Sequence, residues 1–107
     1  MKVTRFAIVI VNLDPTVGSE IKKTRPCVVI SPDELNRHLR SVVVIPLTSQ
    51  RKDYPTRVAV TTQRGKGYAV VEQIRTIDKA RITKVAGKIT RAEQEKLTEV
   101  IRSTYVD

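Results

Sequence analysis

The hydrophobic pattern divides the chain into short strand-like blocks followed by one helical tail. TRFAIVIVNL (4–13) is rich in β-branched residues and stops at DPTVGSE, where Asp14, Pro15 and Gly18 supply turn chemistry. After IKKT, RPCVVIS (25–31) predicts a second strand, since Pro26 is tolerable near a strand start. SPDELNRHLR (31–40) predicts a short helix, with Ser31 as N-cap, Pro32 at the first helical position and Glu34 completing a capping box. SVVVIPLTS (41–49) is a third strand and QRKDYPT (50–56) a basic loop. RVAVTT (57–62) and YAVVEQIRTI (68–77) are strands flanking the turn QRGKG. Asp78 starts a helical turn through DKARI, and KVAGKI (84–89) is a last short strand. Thr90 and Glu93 form a second capping box, opening a helix over 91–105 in which Leu97, Val100, Ile101 and Thr104 recur at helical spacing.

Together these elements predict a mainly β domain with some α, occupying residues 1–107 as one unit: a strongly bent, mostly antiparallel sheet or half-open barrel with a short mid-chain helix and a C-terminal helix. FAIVIV and VVVI are apolar at consecutive positions, so both faces of those strands need cover. In so small a domain one face meets the core while the other needs the C-terminal helix or another subunit, and a homodimer is expected. No apolar run approaches the roughly 20 residues of a membrane span, and FAIVIVNL lacks the length and cleavage site of a signal peptide. A cytoplasmic protein with no membrane partner is expected.

Charge narrows the function. The chain carries 20 basic and 11 acidic residues, a net +9 with a pI near 10.1. Residues 1–89 hold a balance of +10 and residues 90–107 a balance of −1, so the excess belongs to the strand-rich body. Such a body attracts polyanions over long range, and nucleic acid is the expected partner. With three Tyr and one Phe, an extended base-stacking platform is poorly supplied, and Tyr54 and Tyr68 are expected to pack rather than to stack on bases.

The inventory of side chains removes most catalytic chemistries. One Cys and one His cannot assemble a zinc site within the chain, and no spacing suggests an acidic metal cluster, so neither metal nor cofactor is expected. Cys27 reads as a small buried hydrophobe and His38 as a surface residue. There is no GxxxxGK loop and no GxSxG elbow. What remains is carboxylate, guanidinium and hydroxyl. RNA brings its own nucleophile, the 2′-OH, so cleaving it needs a base, a cation beside the phosphate and a proton source. Glu20, Arg25 and Thr48 supply most of that set, Arg25 through a planar fork matched to phosphate oxygens. Each also has an ordinary structural explanation: an Arg before Pro as a solvated charge, a strand-ending Thr as a turn-former.

The ordered set DPTVGSE, KTRP, SPDELN, PLTSQ and EQIRTIDKAR resembles the MazF/PemK family of toxins from bacterial toxin–antitoxin pairs, and the resemblance covers nearly the whole chain. It implies a small SH3-like β-barrel of the CcdB and MazF type, a homodimer, and metal-free, sequence-specific cleavage of single-stranded RNA that inhibits growth. DNA is not an implied substrate. By position, Arg25 of KTRP and Thr48 of PLTS match the family's catalytic pair, and Glu20 of GSE an active-site acid. The loop from Asp14 to Lys23 resembles the segment that closes over substrate. The RNA-contacting set implied is Ser19, Lys22, Lys23, Asn36, Ser49, Gln50, Glu72, Gln73, Thr76 and Asp78. An acidic, partly disordered antitoxin of the MazE kind is the implied protein partner, competing with RNA for the basic surface.

One departure stands out. Many members begin the first strand with Arg-Gly-Asp, whereas here Arg5 is followed by Phe6 and Ala7, positions expected to lie close to the loop that approaches the active site. Two other readings remain open: a CcdB-like toxin that binds DNA gyrase without nuclease activity, against which KTRP with PLTS argues, and a plain RNA-binding module.

Overall fold

The computed structural model describes residues 2–13, 18 and 24–107. Along the chain it sets β1 (Ala7–Asn12), β2 (Thr24–Val29), α1 (Asp33–His38), β3 (Ser41–Thr48), β4 (Arg57–Thr62), β5 (Gly65–Val70), β6 (Arg75–Asp78), β7 (Ile82–Lys88) and α2 (Arg91–Tyr105). The strands form one antiparallel sheet in the order β4-β5-β3-β2-β1-β7, with β6 also on β3. This is the bent, mainly β architecture that the pattern predicts.

β3 is the strand around which the sheet bends. Its residues Val44, Ile45 and Pro46 pair with β2 on one edge, while on the other Ser41–Val44 pair with β6 and Leu47 and Thr48 with β5. YAVVEQIRTI, which the pattern gives as one strand, is therefore two, broken by a 3₁₀ turn at Val71–Gln73. The registers explain the break. Leu47 lies opposite Ala69 and Val44 opposite Arg75, so three steps along β3 face six along its partner, and the turn takes up the surplus.

Alternation along the strands gives each sheet face its own apolar cluster. Ile8, Val28, Ile45, Leu47, Val58 and Val60 pack under Leu97 and Val100 of α2. Ala7, Val9, Val11, Cys27, Val29, Val42 and Val44 gather with Leu13, Ile77 and Ile82 on the opposite face, inside the curl of the sheet. Consecutive apolar residues are thus buried on both sides within a single chain, and the doubly apolar strands do not by themselves require a second copy. Register shifts between Ile8 and Val9 and between Ile10 and Val11 bend β1 against β7, and Gly87, opposite Ile8, takes a φ of +140° that an L side chain resists.

The two capping signals fare differently. At α2 the box is complete: the Glu93 backbone N–H donates to Thr90 Oγ1 at 3.2 Å, and the Thr90 N–H to Glu93 Oε1 at 2.9 Å. The second Glu93 oxygen accepts from Thr61 N at 2.8 Å, which ties the helix start to β4. At α1 the N-cap is Pro32, with no side-chain cap. Ser31 is drawn into the interior instead, donating to Asn36 Oδ1 at 2.6 Å and accepting from Val43 N at 3.0 Å, so its hydroxyl anchors the helix to β3.

β1 begins at Ala7, not Thr4, because Phe6 turns the chain with a φ of +69°. Its N–H donates to Val29 O at 2.6 Å and its carbonyl accepts from Ile89 N at 3.1 Å. Arg25 pairs with Val11, five residues along β1, or about 16 Å at strand spacing. The Phe6–Ala7 departure therefore lies at the far end of the β1–β2 pairing from Arg25, and the loop it was expected to approach lies outside the described residues. Among the described residues no helix is long and apolar enough to cross a membrane.

Candidate active site

A row of side chains crosses one end of the sheet. Residues directly opposite one another in an antiparallel ladder share a face, as do residues two apart along a strand. Val11 lies opposite Arg25, Cys27 opposite Pro46, Thr48 opposite Tyr68, and Tyr68 opposite Ala59. Arg25, Thr48, Tyr68 and Ala59 are consequently on the same face. The β2–β3 pairing runs to Cys27 opposite Pro46, and Arg25 and Thr48 each lie two residues beyond it, on the face those two share.

Both residues sit half-buried at the margin of the second apolar cluster. Thr48 Oγ1 accepts from Gln50 N at 3.2 Å, which turns the chain out of β3. A hydroxyl that accepts in this way still carries a proton to donate. Beneath Arg25, Cys27 is fully buried, and burial pushes its thiol up to about 12 although the guanidinium groups of Arg75 and Arg25 pull it down. It is an inert packing residue at neutral pH, as its apolar surroundings in the sequence suggest. The same electrostatics locate Arg75 near the site, and its partner Val44 places it on the Arg25 face. Sequence reasoning missed Arg75. Its signal lay in the alternation of RTID, which sends Arg75 and Thr76 to opposite faces.

The far end of the row is walled by the loop after β3. Tyr54, Pro55, Thr56 and Arg57 close a turn in which the Arg57 N–H donates to Tyr54 O at 3.1 Å, with Pro55 at the position where its fixed φ suits such a turn. The Arg57 guanidinium lies over the Tyr54 ring, 4.9 Å from its centroid, and pairs with the Glu72 carboxylate. Burial tends to raise the Glu72 carboxyl, but the Thr56 hydroxyl, Arg57 and the backbone together hold it below the usual carboxylate value. Glu72 thus positions Arg57 and, through it, Tyr54. Tyr54 itself is 52% exposed, so it does not pack as expected.

The remaining expected contacts fall in several places. Glu20, Ser19, Lys22 and Lys23, with most of the Asp14–Lys23 loop, lie outside the described residues. Ser49 and Gln50 are exposed immediately beyond Thr48. Gln73 is half-buried in the 3₁₀ turn beside β3. Thr76 is exposed opposite Val43, away from the Arg25 face. Asp78 is opposite Ser41, seven residues along β3 from Thr48, where it accepts from Ala80 N at 2.8 Å and caps a turn. Asn36 is corrected outright. It is 2% exposed, and its amide accepts from the Ser31 hydroxyl and donates to Ser31 O at 2.8 Å, which spends it on the fold. Among the described residues no three His, Cys, Asp or Glu side chains gather as metal ligands would.

The chain belongs to the PemK-like, MazF-like toxins of type II toxin–antitoxin systems, whose family pattern matches residues 4–105. Among individual relatives it is 36% identical over 106 residues to the endoribonuclease EndoA of Bacillus subtilis (strain 168), covering 94% of this chain and 89% of that protein. It is 39% identical over 67 residues to the endoribonuclease toxin MazF of Escherichia coli (strain K12), a match spanning 63% of this chain and 60% of the E. coli protein. The fold superposes on MazF from Deinococcus radiodurans with a TM-score of 0.87, at 23% identity and over 97% of this chain and 96% of that one. An endoribonuclease from a mycobacterial species, solved in complex with its cognate antitoxin, gives a TM-score of 0.80 at 25% identity over 94% and 91% of the two chains.

Proposed function

We propose that this chain is the toxin of a type II pair: an endoribonuclease that cuts single-stranded RNA at short sequences by 2′-OH attack and so arrests growth. A base takes the proton of the 2′-OH, whose oxygen bonds the adjacent phosphorus. The bond from phosphorus to the 5′-oxygen breaks, and that oxygen leaves with a proton. The products are a 2′,3′-cyclic phosphate and a free 5′-OH, and the step needs no metal.

The observation that carries the reading is that Arg25 and Thr48 lie on one sheet face, each two residues beyond the Cys27–Pro46 pair. Arg25 neutralises the charge that builds on the phosphate oxygens, an interaction worth most in a half-buried site. A guanidinium with a pKa above about 12 is a poor proton donor, so its role is electrostatic. Thr48 donates its hydroxyl to the same phosphate. Glu20 is the proposed base, on its place in GSE. Ser19, Lys22, Lys23, Ser49, Gln50 and Gln73 remain proposed RNA contacts on the resemblance.

The basic body favours an acidic, MazE-like antitoxin segment as inhibitor. A homodimer working in the cytoplasm is proposed on the family resemblance. Arg25→Ala and Thr48→Val, both folded by circular dichroism, test the assignment: cleavage of single-stranded RNA should fall by two orders of magnitude or more for the first. Full activity in Arg25→Ala would falsify it. Capture of gyrase by a protein inert toward RNA would instead favour the CcdB-like reading.

A further inference from the structure

The face that carries Arg25 and Thr48 continues through Tyr68 and Ala59 into a hollow of about 490 Å³ lined also by the loop residues Arg51 to Pro55, Asp53 among them, and by Arg57. We infer that this hollow is a base-binding subsite, in which the nucleobase next to the scissile phosphate stacks on Tyr54. The inference rests on the nuclease reading and adds to it the residue that selects the base beside the cut.

Position is the first argument. Tyr68 is one strand from Thr48 and Ala59 one strand further, so the hollow opens where a nucleotide joined to a phosphate on Arg25 and Thr48 must go. Ala59, opposite Tyr68, lines the hollow with only a methyl group.

Preorganisation is the second. An exposed aromatic ring usually surrenders rotamer freedom on binding. Tyr54 is already held: Pro55 and the Arg57 N–H bond fix its backbone, and the Arg57 guanidinium covers one ring face. A ring has two faces, and half of this residue is still exposed. Arg57 in turn is held by Glu72. Its Nε is buried without a hydrogen-bond partner among the described residues, so the guanidinium is not placed to satisfy itself most fully. The placement serves the ring. A cation on one face of an aromatic and a base on the other is an arrangement that suits single-stranded nucleic acid.

Chemistry is the third. Arg51, paired with Asp53 at 3.6 Å, and Lys52 leave a net positive charge beside the hollow for the neighbouring phosphate, while Tyr54 and Tyr68 supply aromatic surface. The ligand class is a flat, unpaired base on a polyanionic strand.

The test uses the full chain with Tyr54→Ala, Tyr54→Phe, Arg25→Ala and the Arg25→Ala/Tyr54→Ala pair. A long defined single-stranded RNA is cleaved and its new ends sequenced, and binding of the same RNA is measured with the two Arg25→Ala proteins. Loss of one stacked base corresponds to about 5- to 150-fold. Tyr54→Ala should lose that much in kcat/KM and relax base preference at one position beside the cut, and Tyr54→Phe should recover most of the loss. In the binding arm the double variant should be weaker than Arg25→Ala by a similar factor. Unchanged kcat/KM, base preference and binding in Tyr54→Ala overturn the subsite. If the wild type cuts no RNA but binds it with the same dependence on Tyr54, the nuclease reading fails and the subsite stands. If it neither cuts nor binds RNA, both fall.

Discussion

Thr48 and Tyr68 face one another across the β3–β5 ladder, on the sheet face that also carries Arg25. A group proposed to hold phosphate thus has an aromatic side chain as its immediate neighbour. The bend at β3 creates this adjacency by handing its edge from β6 to β5 just before Thr48. Two of its consequences concern Thr48 and Glu72.

Thr48 Oγ1 accepts from Gln50 N, and substitutions separate that contact from its proposed hydrogen bond to phosphate. Thr48→Ser keeps a hydroxyl for both the Gln50 N–H and a phosphate, and should retain activity within about tenfold. Thr48→Val loses a hydrogen bond to a charged group, commonly worth about 1.5–3 kcal/mol, so cleavage should drop by roughly 10- to 150-fold. Single-turnover rates on one RNA check the ranking; equal rates for Ser and Val would remove the hydroxyl from the mechanism.

The Glu72–Arg57 pair gives an acid-side dependence. The Glu72 carboxyl is held below its ordinary 4.5, so its stabilisation is present above that value and is lost as pH falls through the depressed folded value. Urea midpoints measured from pH 6 down to about pH 3 should show wild type and Glu72→Gln converging at the acid end. A constant gap between them would mean that the charge on Glu72 is not what matters.

Burial of Cys27 gives an alkaline counterpart. Its thiol is raised from 9.0 to about 12, so its contribution is complete below about pH 9 and is lost as pH rises towards 12. Cys27→Ala should flatten that alkaline decline, and in the wild type a thiol reagent at pH 8 should label only unfolded protein. Fast labelling of the native state would contradict the burial.

Phe6 carries a left-handed backbone that a bulky residue rarely adopts. In an ordinary strand Gly is less stable than Ala; here the order should reverse, with Phe6→Gly more stable than Phe6→Ala by about 1 kcal/mol. Thermal or urea unfolding of the pair settles the sign. Activity at Arg25 should be little changed in either, since Phe6 is at the other end of the hairpin.

Much of this was legible in the sequence, for identifiable reasons. Strands and the C-terminal helix follow local periodicity and capping, and α2 appears over the predicted residues because Thr90 and Glu93 satisfy each other locally. The split of YAVVEQIRTI was not legible, because it is imposed by register against β3, a partner distant in the chain. Ser31 misled for the same reason: its hydroxyl is claimed by Val43 and Asn36 rather than by its own helix. At the proposed site, Arg25 and Thr48 were singled out from strand ends and motif order, and the structure places them on one sheet face. Arg75, Arg57 and Tyr54 were not, since their significance comes from a shared sheet face and a cation over a ring, which no single stretch of sequence records. Phe6 shows the converse, a departure from the usual Gly whose unusual backbone the structure keeps.

The central claim is that Arg25 and Thr48 cleave RNA through its own 2′-OH. The most direct measurement is digestion of a long defined single-stranded RNA by the purified chain in EDTA, beside Arg25→Ala, with each new end mapped and chemically typed. Discrete cuts bearing 2′,3′-cyclic phosphate and 5′-OH, lost in the variant and absent when the nucleotide 5′ of the cut is 2′-deoxy, are the predicted result. Cuts that persist at the 2′-deoxy nucleotide, or in Arg25→Ala, would contradict it.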